Sequence, residues 1–409
     1  MARQALEPQT VPENERGSAW EVLWVAARLG MTSFGGPVAH LGYFHEEYVR
    51  RRRWLSEEAY AEVVALSQAL PGPASSQTGM AVGLLRAGLP GALCAWLGFT
   101  IPSALLMIAF AYGVGEVGSV EAADWLHGLK LAAVAIVALA VWSMARALSP
   151  DRERGTIAIV AAILMLSWQA AGVQVLVIVL GGIAGWMLYS RASLPIPDVA
   201  FDSRVGRNLA ATAWVAFFAL LIGLPLAASL FDSQALNLFD SFYRTGSLVF
   251  GGGHVVLPLL EREVVAPGWV TQDDFLAGYG AAQAVPGPLF TFSAYLGAVM
   301  QPSPTGVTGG VIALVAIFLP SFLLIIGGLP LWRWLRLNPA LQAALRGVNA
   351  AVVGLLLAAL YDPVWLSAVR DAADLSIALA AFGLLVLWKA PPWSMVLFCA
   401  LAAEVVSAV

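Results

Sequence analysis

The sequence predicts an all-α polytopic membrane protein made of two inverted-topology repeats, each carrying broken or re-entrant helices. Three observations carry that prediction. Of 409 residues, 59% are hydrophobic and only 12% are charged, whereas ordinary soluble domains carry roughly 25% charged residues. Mean hydropathy is +0.78. The element Gln68-Ala69-Leu70-Pro71-Gly72-Pro73-Ala74-Ser75-Ser76-Gln77-Thr78 returns as Gln283-Ala284-Val285-Pro286-Gly287-Pro288-Leu289-Phe290-Thr291-Phe292-Ser293, with Pro286 offset from Pro71 by 215. Finally, basic and acidic residues collect in different interhelical regions, in an order that gives the two halves opposite orientation.

The Pro-Gly-Pro elements are the strongest local signal. Each proline lacks an N–H and clashes with the preceding turn, so a continuous helix cannot pass. Two half-helices should meet there. The second would begin with unpaired backbone N–H groups and the positive end of its dipole. Within a bilayer such a break is tolerated only when buried in protein or lining a cavity. It is a natural place to bind an anion.

The repeat extends well beyond these elements. Ser33-Phe34-Gly35-Gly36-Pro37 resembles Val249-Phe250-Gly251-Gly252-Gly253 at an offset of 216. His40 and His254 follow, two residues out of strict alignment. Trp54-Leu55-Ser56-Glu57-Glu58-Ala59-Tyr60 matches Trp269-Val270-Thr271-Gln272-Asp273-Asp274-Phe275 at 215, and Pro102-Ser103 matches Pro320-Ser321 at 218. Leu126-His127-Gly128-Leu129-Lys130 faces Leu345-Arg346-Gly347-Val348-Asn349 at 219. Periodic self-similarity of this kind marks repeat architecture. The expected organisation is a polar tail over 1–18, a membrane repeat over 19–200, a linker with a connector helix over 201–234, and a second membrane repeat over 235–409. The tail has no apolar run and does not read as a cleavable signal.

In chain order, 19–33 is apolar but short for a full span, and reads as a half-helix entering the Gly-Gly turn. Residues 41–53 are amphipathic and end in Arg50, Arg51, Arg52 and Arg53. Residues 54–70 and 74–89 form the first broken pair. Residues 91–115 and 125–147 are full spans. The apolar stretch 156–190 reads as a tight hairpin of two short spans. Residues 209–230 form a span with no partner in the repeat. In the second half, 236–250 leads into the Gly-rich turn, and 270–285 with 289–300 is the second broken pair. Residues 306–330 and 341–361 span, and two short stretches, 375–387 and 393–409, close the chain.

Lys and Arg accumulate on the cytoplasmic side of membrane proteins. Let each broken pair enter and leave on one face. Then Arg50 to Arg53, Arg86, Arg146, Arg152, Arg154, Arg191, Arg207, Arg333, Arg336 and Lys389 fall inside. Glu116, Asp124, Asp232, Asp240, Asp273, Asp274, Asp362 and Asp374 fall outside, with Arg262 and Arg370 as exceptions. Five crossings then separate Phe34 from Phe250; the number is odd, so the halves are inverted. If 156–190 crosses once, or if the broken pairs each span fully, the parity must be recounted.

The Phe34-Gly35-Gly36-Pro37-Val38-Ala39-His40 and Phe250-Gly251-Gly252-Gly253-His254 turns, taken with both Pro-Gly-Pro elements, resemble the chromate ion transporter family in its long, two-halved form. The resemblance covers nearly the whole chain. It implies export of chromate from the bacterial cytoplasm across the inner membrane, with sulfate as the structural analogue and proton-driven exchange.

The chemistry of the residues agrees. Chromate and sulfate are tetrahedral dianions that need several N–H or O–H donors, yet must be released. The predicted substrate-binding set is Gly35, Gly36, His40, Gln68, Pro71, Gly72, Pro73, Ser75, Ser76, Gln77 and Lys130 in the first half. In the second it is Gly251, Gly252, Gly253, His254, Gln283, Pro286, Gly287, Pro288, Thr291 and Ser293. Thr78 adds a further hydroxyl. The glycines allow close backbone approach, although glycines and hydroxyls also serve plain helix packing. Lys130 lies about one turn into its span; it can attract the anion or snorkel to the interface. Arg86 reads as an interfacial anchor. Glu62 is the proton-coupling candidate, with Ala277 as its repeat counterpart. His40 and His254 titrate near neutral pH, or serve as satisfied interfacial residues.

Cys94 and Cys399 read as small buried hydrophobes, and neither CxxC nor Cys/His metal spacing occurs. The sequence shows no nucleotide loop or nucleophile constellation, so no cofactor, metal or enzyme is expected. A secondary oxyanion transporter leads; a passive anion channel is the alternative, and a membrane enzyme or sensor comes third. Lipid is the surrounding partner, nucleic acid is not expected, and a homodimer is left open.

Overall fold

The structure is a computed structural model and describes residues 17–117, 124–168, 172–190, 205–250 and 253–407. All regular structure among the described residues is helical. The first half contains α1 (Ala19–Thr32), α2 (Gly36–Phe44) with a π-helical continuation (His45–Arg51), and α3 (Glu57–Ala69). It continues with α4 (Ala74–Val117), α5 (Asp124–Leu148), α6 (Arg152–Ser167) and α7 (Val173–Tyr189). The connector is α8 (Arg207–Leu230). The second half contains α9 (Gln234–Leu248), α10 (Val256–Val264), α11 (Gln272–Ala284), α12 (Phe292–Val299) and α13 (Gly306–Gly328). It ends with α14 (Trp332–Leu337), α15 (Pro339–Ala359), α16 (Leu366–Ala368), α17 (Ala372–Leu387) and α18 (Pro392–Ser407). Five helical stretches, 74–114, 124–148, 207–230, 306–331 and 339–368, are long and apolar enough to cross a membrane. The chain is a polytopic, all-helical membrane protein.

Local chemistry sets these boundaries in the same way in both halves. The Ser56 side chain accepts from the Ala59 N–H at 3.2 Å and starts α3; Thr271 accepts from the Asp274 N–H at 3.1 Å and starts α11. Each satisfies one of the orphan donors of a helix N-terminus. Both helices end in an extended residue, Leu70 or Val285, one position before a proline, as the steric demand of the proline ring requires. α4 is kinked where Ala87 and Gly88 leave helical geometry. Its first limb, before the kink, is the half-helix that follows Pro73.

Each broken pair is a hairpin whose ends meet. The Arg86 guanidinium sits 5.2 Å over the Trp54 ring, joining the exit of the first pair to its entrance. The Gln301 N–H donates to the Trp269 carbonyl at 2.8 Å and does the same for the second. The two hairpins open at opposite ends of the molecule. Arg86 lies at one end of the long second limb of α4, where Glu21, Arg52 and Trp54 gather. At its other end Phe110 packs on Trp125 and Tyr295, and Tyr112 lies beside Gly306. At 1.5 Å per residue, the helix between 88 and 112 is about 36 Å long. Asp273, at the start of α11, binds Lys130 of α5, whose first turn carries Trp125. Asp273 and Arg52 therefore belong to opposite ends. Cysteines placed beside Arg51 and beside Asp273 should react with an impermeant thiol reagent from opposite sides of the membrane. Labelling of both from one side would rule out the inverted arrangement.

The halves are interlocked. α5 packs against α17 and α18 of the second half, and α15 packs against α6 and α7 of the first. Small residues allow the approach: a methyl at Gly128 would press on the carbonyl of Cys399, and one at Gly347 on the backbone of Gly181 and Gly185. Close helix crossings in membranes depend on such residues. Polar pairs cross the same boundary. Lys130 Nζ donates to Asp273 at 2.7 Å, Trp332 Nε1 donates to Glu62 at 2.7 Å, and His127 is bonded to Asp374 at 2.8 Å.

Candidate functional site

The two Pro-Gly-Pro breaks are each tied to the Gly-rich turn of the other half. The Gly72 N–H donates to the Val249 carbonyl at 2.7 Å, and the Gly287 N–H donates to the Ser33 carbonyl at 2.9 Å. Val249 and Ser33 are repeat equivalents, one residue before Phe250 and Phe34. The bonds are thus reciprocal, related by the same internal symmetry that the sequence repeat shows.

Both glycines are required by their backbone and their neighbours. Gly72 has φ +125° and Gly287 φ +97°, in the left-handed region where a side chain is strained. A methyl on Gly72 would meet the Gln77 amide and lie 2.6 Å from Ser321 Oγ; one on Gly287 would lie 2.7 Å from Ser103 Oγ. Ser103 and Ser321 are the repeat-equivalent serines of the Pro-Ser pairs. Each therefore stands against the Pro-Gly-Pro element of the opposite half.

The first limb of α4 begins at this junction. Its first helical bond runs from the Gln77 N–H to the Pro73 carbonyl at 2.9 Å. The amides of Ala74, Ser75 and Ser76 therefore precede the ladder. Ser75 Oγ lies 3.4 Å from His40 Nδ1, and the His40 ring stands edge-on to Phe99 at 5.3 Å. In the second half His254 Nδ1 is 2.8 Å from the Tyr279 hydroxyl. Buried polar groups in proteins nearly always have a partner. Yet, among the described residues, Ser33 Oγ, His40 Nε2, Ser76 Oγ, Gln77 Oε1 and Thr100 Oγ1 are buried without a hydrogen-bond partner. All five belong to the first Gly-rich turn, the first limb of α4, or the helical turn of Phe99.

Not every predicted donor is available in this conformation. Thr291 and Ser293 donate to the carbonyls of Pro288 and Phe290 at 2.9 and 2.7 Å, and Thr78 to that of Ala74 at 2.8 Å. Gln77 Nε2 folds back onto the Pro71 carbonyl at 2.6 Å. Gly72, Pro73, Gly287 and Pro288 are buried, Gly36, Pro71 and Pro286 are half-buried, and Gly35 and Gln68 are exposed. Among the described residues Gln283 Nε2 has no hydrogen-bond partner, though it is buried. Lys130 is fully buried and salt-bridged to Asp273, away from the junction. Glu62 is buried and receives the Trp332 indole N–H. Gly253 opens a short 3₁₀ turn, whereas Gly251 and Gly252 lie outside the described residues. Ser33, Thr100, Ser103, Tyr279 and Ser321 were not among the predicted site residues. The matched Pro-Ser pairs were the sequence signal for two of them. A cleft of about 350 Å³ among Gln174, Pro258, Glu261, Arg262 and Asp362 holds none of the predicted site residues.

The sequence model of the chromate transporter family matches residues 20–186 and 236–403. The chain belongs to this family. The chromate transport protein of Pseudomonas aeruginosa is 29% identical to it over 375 residues, covering 88% of this chain and 86% of that one. The probable chromate transport protein of Synechococcus elongatus is 27% identical over 334 residues, with 80% of each chain covered. The chromate transport protein of Cupriavidus metallidurans is 27% identical over 364 residues, covering 87% of this chain and 84% of that one. No solved structure matches the chain. This member of the family is therefore a multi-pass membrane protein, and the family implies an oxyanion substrate. Its junction of amides, hydroxyls and two imidazoles suits that class, because oxyanions are bound by converging N–H and O–H donors.

Proposed function

We propose that the protein is a secondary transporter that exports chromate, or a related tetrahedral oxyanion such as sulfate, from the bacterial cytoplasm in exchange with protons. The observation that carries this reading is the reciprocal pair of bonds from Gly72 to Val249 and from Gly287 to Ser33. They bring two broken helices from opposite ends of the molecule to one junction, with repeats 19–200 and 235–409 meeting across it. We read the two hairpins as re-entrant.

The dianion is received by the amides of Ala74, Ser75 and Ser76 and by the Ser75 and Ser76 hydroxyls, with the helix dipole behind them. Binding through amides and hydroxyls, without a fixed cation in contact, keeps affinity moderate and release possible. Glu62, a carboxylate on the same hairpin, is the group assigned to proton exchange. Burial holds the imidazoles of His40, beside Ser75, and His254, beside Tyr279, below their usual range. Both therefore act as neutral hydrogen-bonding groups and not as the near-neutral titrating groups expected from the sequence. Rocking of one repeat against the other opens the junction to each face in turn.

The test is chromate uptake into inside-out vesicles, with sulfate as competitor and with the pH gradient collapsed. Saturable uptake that falls with the gradient supports exchange. Flux that neither saturates nor follows the gradient would make the protein a passive channel. Ser75→Ala and Ser76→Ala should each weaken chromate binding roughly 10- to 100-fold, the loss of one hydrogen bond to a charged group. Pro71→Ala and Pro286→Ala should abolish uptake by letting the helix run on and recapture the free amides. Normal uptake by both inserted proline variants would place the site elsewhere.

A further inference from the structure

The two Pro-Gly-Pro breaks share a backbone plan but not a chemistry. The first half-helix opens on Ser75, Ser76 and Gln77; an offset of 215 places Phe290, Thr291 and Phe292 at the second. Ser33 is matched by Val249 at 216, and Thr100 by Phe318 at 218. The second terminus is satisfied and aromatic. Thr291 donates its hydroxyl to the Pro288 carbonyl at 2.9 Å and its N–H to the same carbonyl at 3.0 Å, within a 3₁₀ turn (Leu289–Thr291). The Phe290 ring centre lies 5.8 Å from that of Phe318, and Phe292 lies 5.1 Å from Phe275 and 5.8 Å from Tyr279.

The first terminus is the reverse. Ser33, His40, Ser76 and Thr100 are 0–3% exposed, and each keeps one side-chain atom without a hydrogen-bond partner among the described residues. A helical threonine commonly returns its hydroxyl to the preceding turn, as Thr32 and Thr78 do; Thr100 does not. Measured contacts hold these residues at one place. The Gly287 N–H donates to the Ser33 carbonyl at 2.9 Å, and a methyl on Gly287 would lie 3.1 Å from the Phe99 carbonyl and 2.7 Å from Ser103 Oγ. Ser103 in turn donates to the Thr100 carbonyl at 3.1 Å. The His40 ring lies 5.3 Å from that of Phe99 and its Nδ1 3.4 Å from Ser75 Oγ.

We infer that the protein has a single oxyanion site, built on the first half-helix terminus alone with Ser33 and Thr100 as ligands beside Ser76, and that the second terminus is an aromatic seal. The inference rests on the proposed oxyanion transport and deepens it, adding two ligands and a stoichiometry. A buried hydroxyl without a partner is costly, and native structures carry few of them. Several at one place, around the free amides of Ala74, Ser75 and Ser76, form an excess of donors that a tetrahedral dianion, which offers only acceptors, completes. A Ser75 hydroxyl that donates to His40 Nδ1 leaves the ring proton on Nε2, so the imidazole adds a donor while neutral. Gln77 Oε1 is an acceptor and takes no part in holding the anion. The faces of aromatic rings carry negative potential, so the cluster of Phe290, Phe292 and Phe318 repels a second anion. The repeated break thus serves closure in one half and binding in the other. Ordered water could complete the same hydroxyls, and the test separates water from anion.

The test is equilibrium dialysis of the full-length purified protein against radiolabelled chromate, with thermal melting in parallel. Saturation should occur at one chromate per chain. Ser33→Ala and Thr100→Val should each raise the dissociation constant roughly 10- to 100-fold at unchanged stoichiometry, and Thr100→Ser should recover most of the loss. Without chromate, Thr100→Val should melt at or above the wild-type temperature, since it removes an unsatisfied hydroxyl; a hydroxyl with a purely structural role would lower it. Phe292→Leu should leave the dissociation constant unchanged. Two chromates per chain, or an unchanged constant in either Ser33→Ala or Thr100→Val, would overturn the inference while leaving transport intact. Absence of chromate binding by the wild type would overturn the transport reading, and this inference with it.

Discussion

Gly72→Ala and Gly287→Ala should each abolish chromate uptake while the protein still reaches the membrane, with Gly287→Ala the more damaging. A methyl at either position is forced into the left-handed region, at φ +125° or +97°, which costs on the order of 1–3 kcal/mol. Around Gly72 the methyl meets the ends of two side chains, the Gln77 amide and Ser321 Oγ, and these can shift. Around Gly287 it also meets backbone, the Phe99 carbonyl at 3.1 Å and the Gly30 carbonyl at 3.3 Å. Backbone in a packed helix yields less readily, so overpacking adds roughly 1–3 kcal/mol there. Either relaxation pulls an N–H off its carbonyl, Val249 or Ser33, and loses a contact between the broken helix of one half and the turn of the other. Gly42→Ala is the control: it has open space and an ordinary φ, and should transport as wild type. The measurement is vesicle uptake at matched amounts of protein that elutes as a single folded species. Wild-type rates in Gly72→Ala and Gly287→Ala would separate the junction from transport.

Much of this arrangement is legible in the residues because prolines and glycines act locally. The extended Leu70 and Val285, the cap residues Ser56 and Thr271, and the helix pairs around 70–74 and 285–289 follow from steric rules spanning a few positions. The helices α5, α6, α7 and α8 follow from apolar runs and polar breaks. What the sequence does not reveal is partnership. α5 is apolar on most of its surface, and nothing in its periodicity says that it packs on α17 and α18 rather than on α6 and α7. The fate of each hydroxyl is hidden for a related reason. Thr291 and Ser293 carry the same donor as Ser76, yet a rotamer choice returns their protons to their own turn and leaves Ser76 without a partner among the described residues.

Lys130 separates structural from substrate-binding charge. Its side chain is 1% exposed and salt-bridged to Asp273, which is 26% exposed. The pair joins α5 of the first half to α11 of the second. Removing one partner of a buried pair leaves an uncompensated charge and costs on the order of 3–5 kcal/mol; the partial exposure of Asp273 favours the lower end. Asp273→Leu should therefore lower the melting temperature and the yield of folded protein sharply, since Lys130 cannot easily reach water from its position. Lys130→Met should do less, because Asp273 can turn toward solvent. Replacing both, Lys130→Met with Asp273→Leu, should restore stability to near the wild-type level, as apolar replacement of buried pairs often does. The double variant then decides what Lys130 does. If the pair only fastens the halves, the rescued protein should bind and take up chromate with the wild-type half-saturating concentration. A stable double variant that no longer binds chromate would return Lys130 to the anion site, with Asp273 as the carboxylate that holds it until substrate arrives.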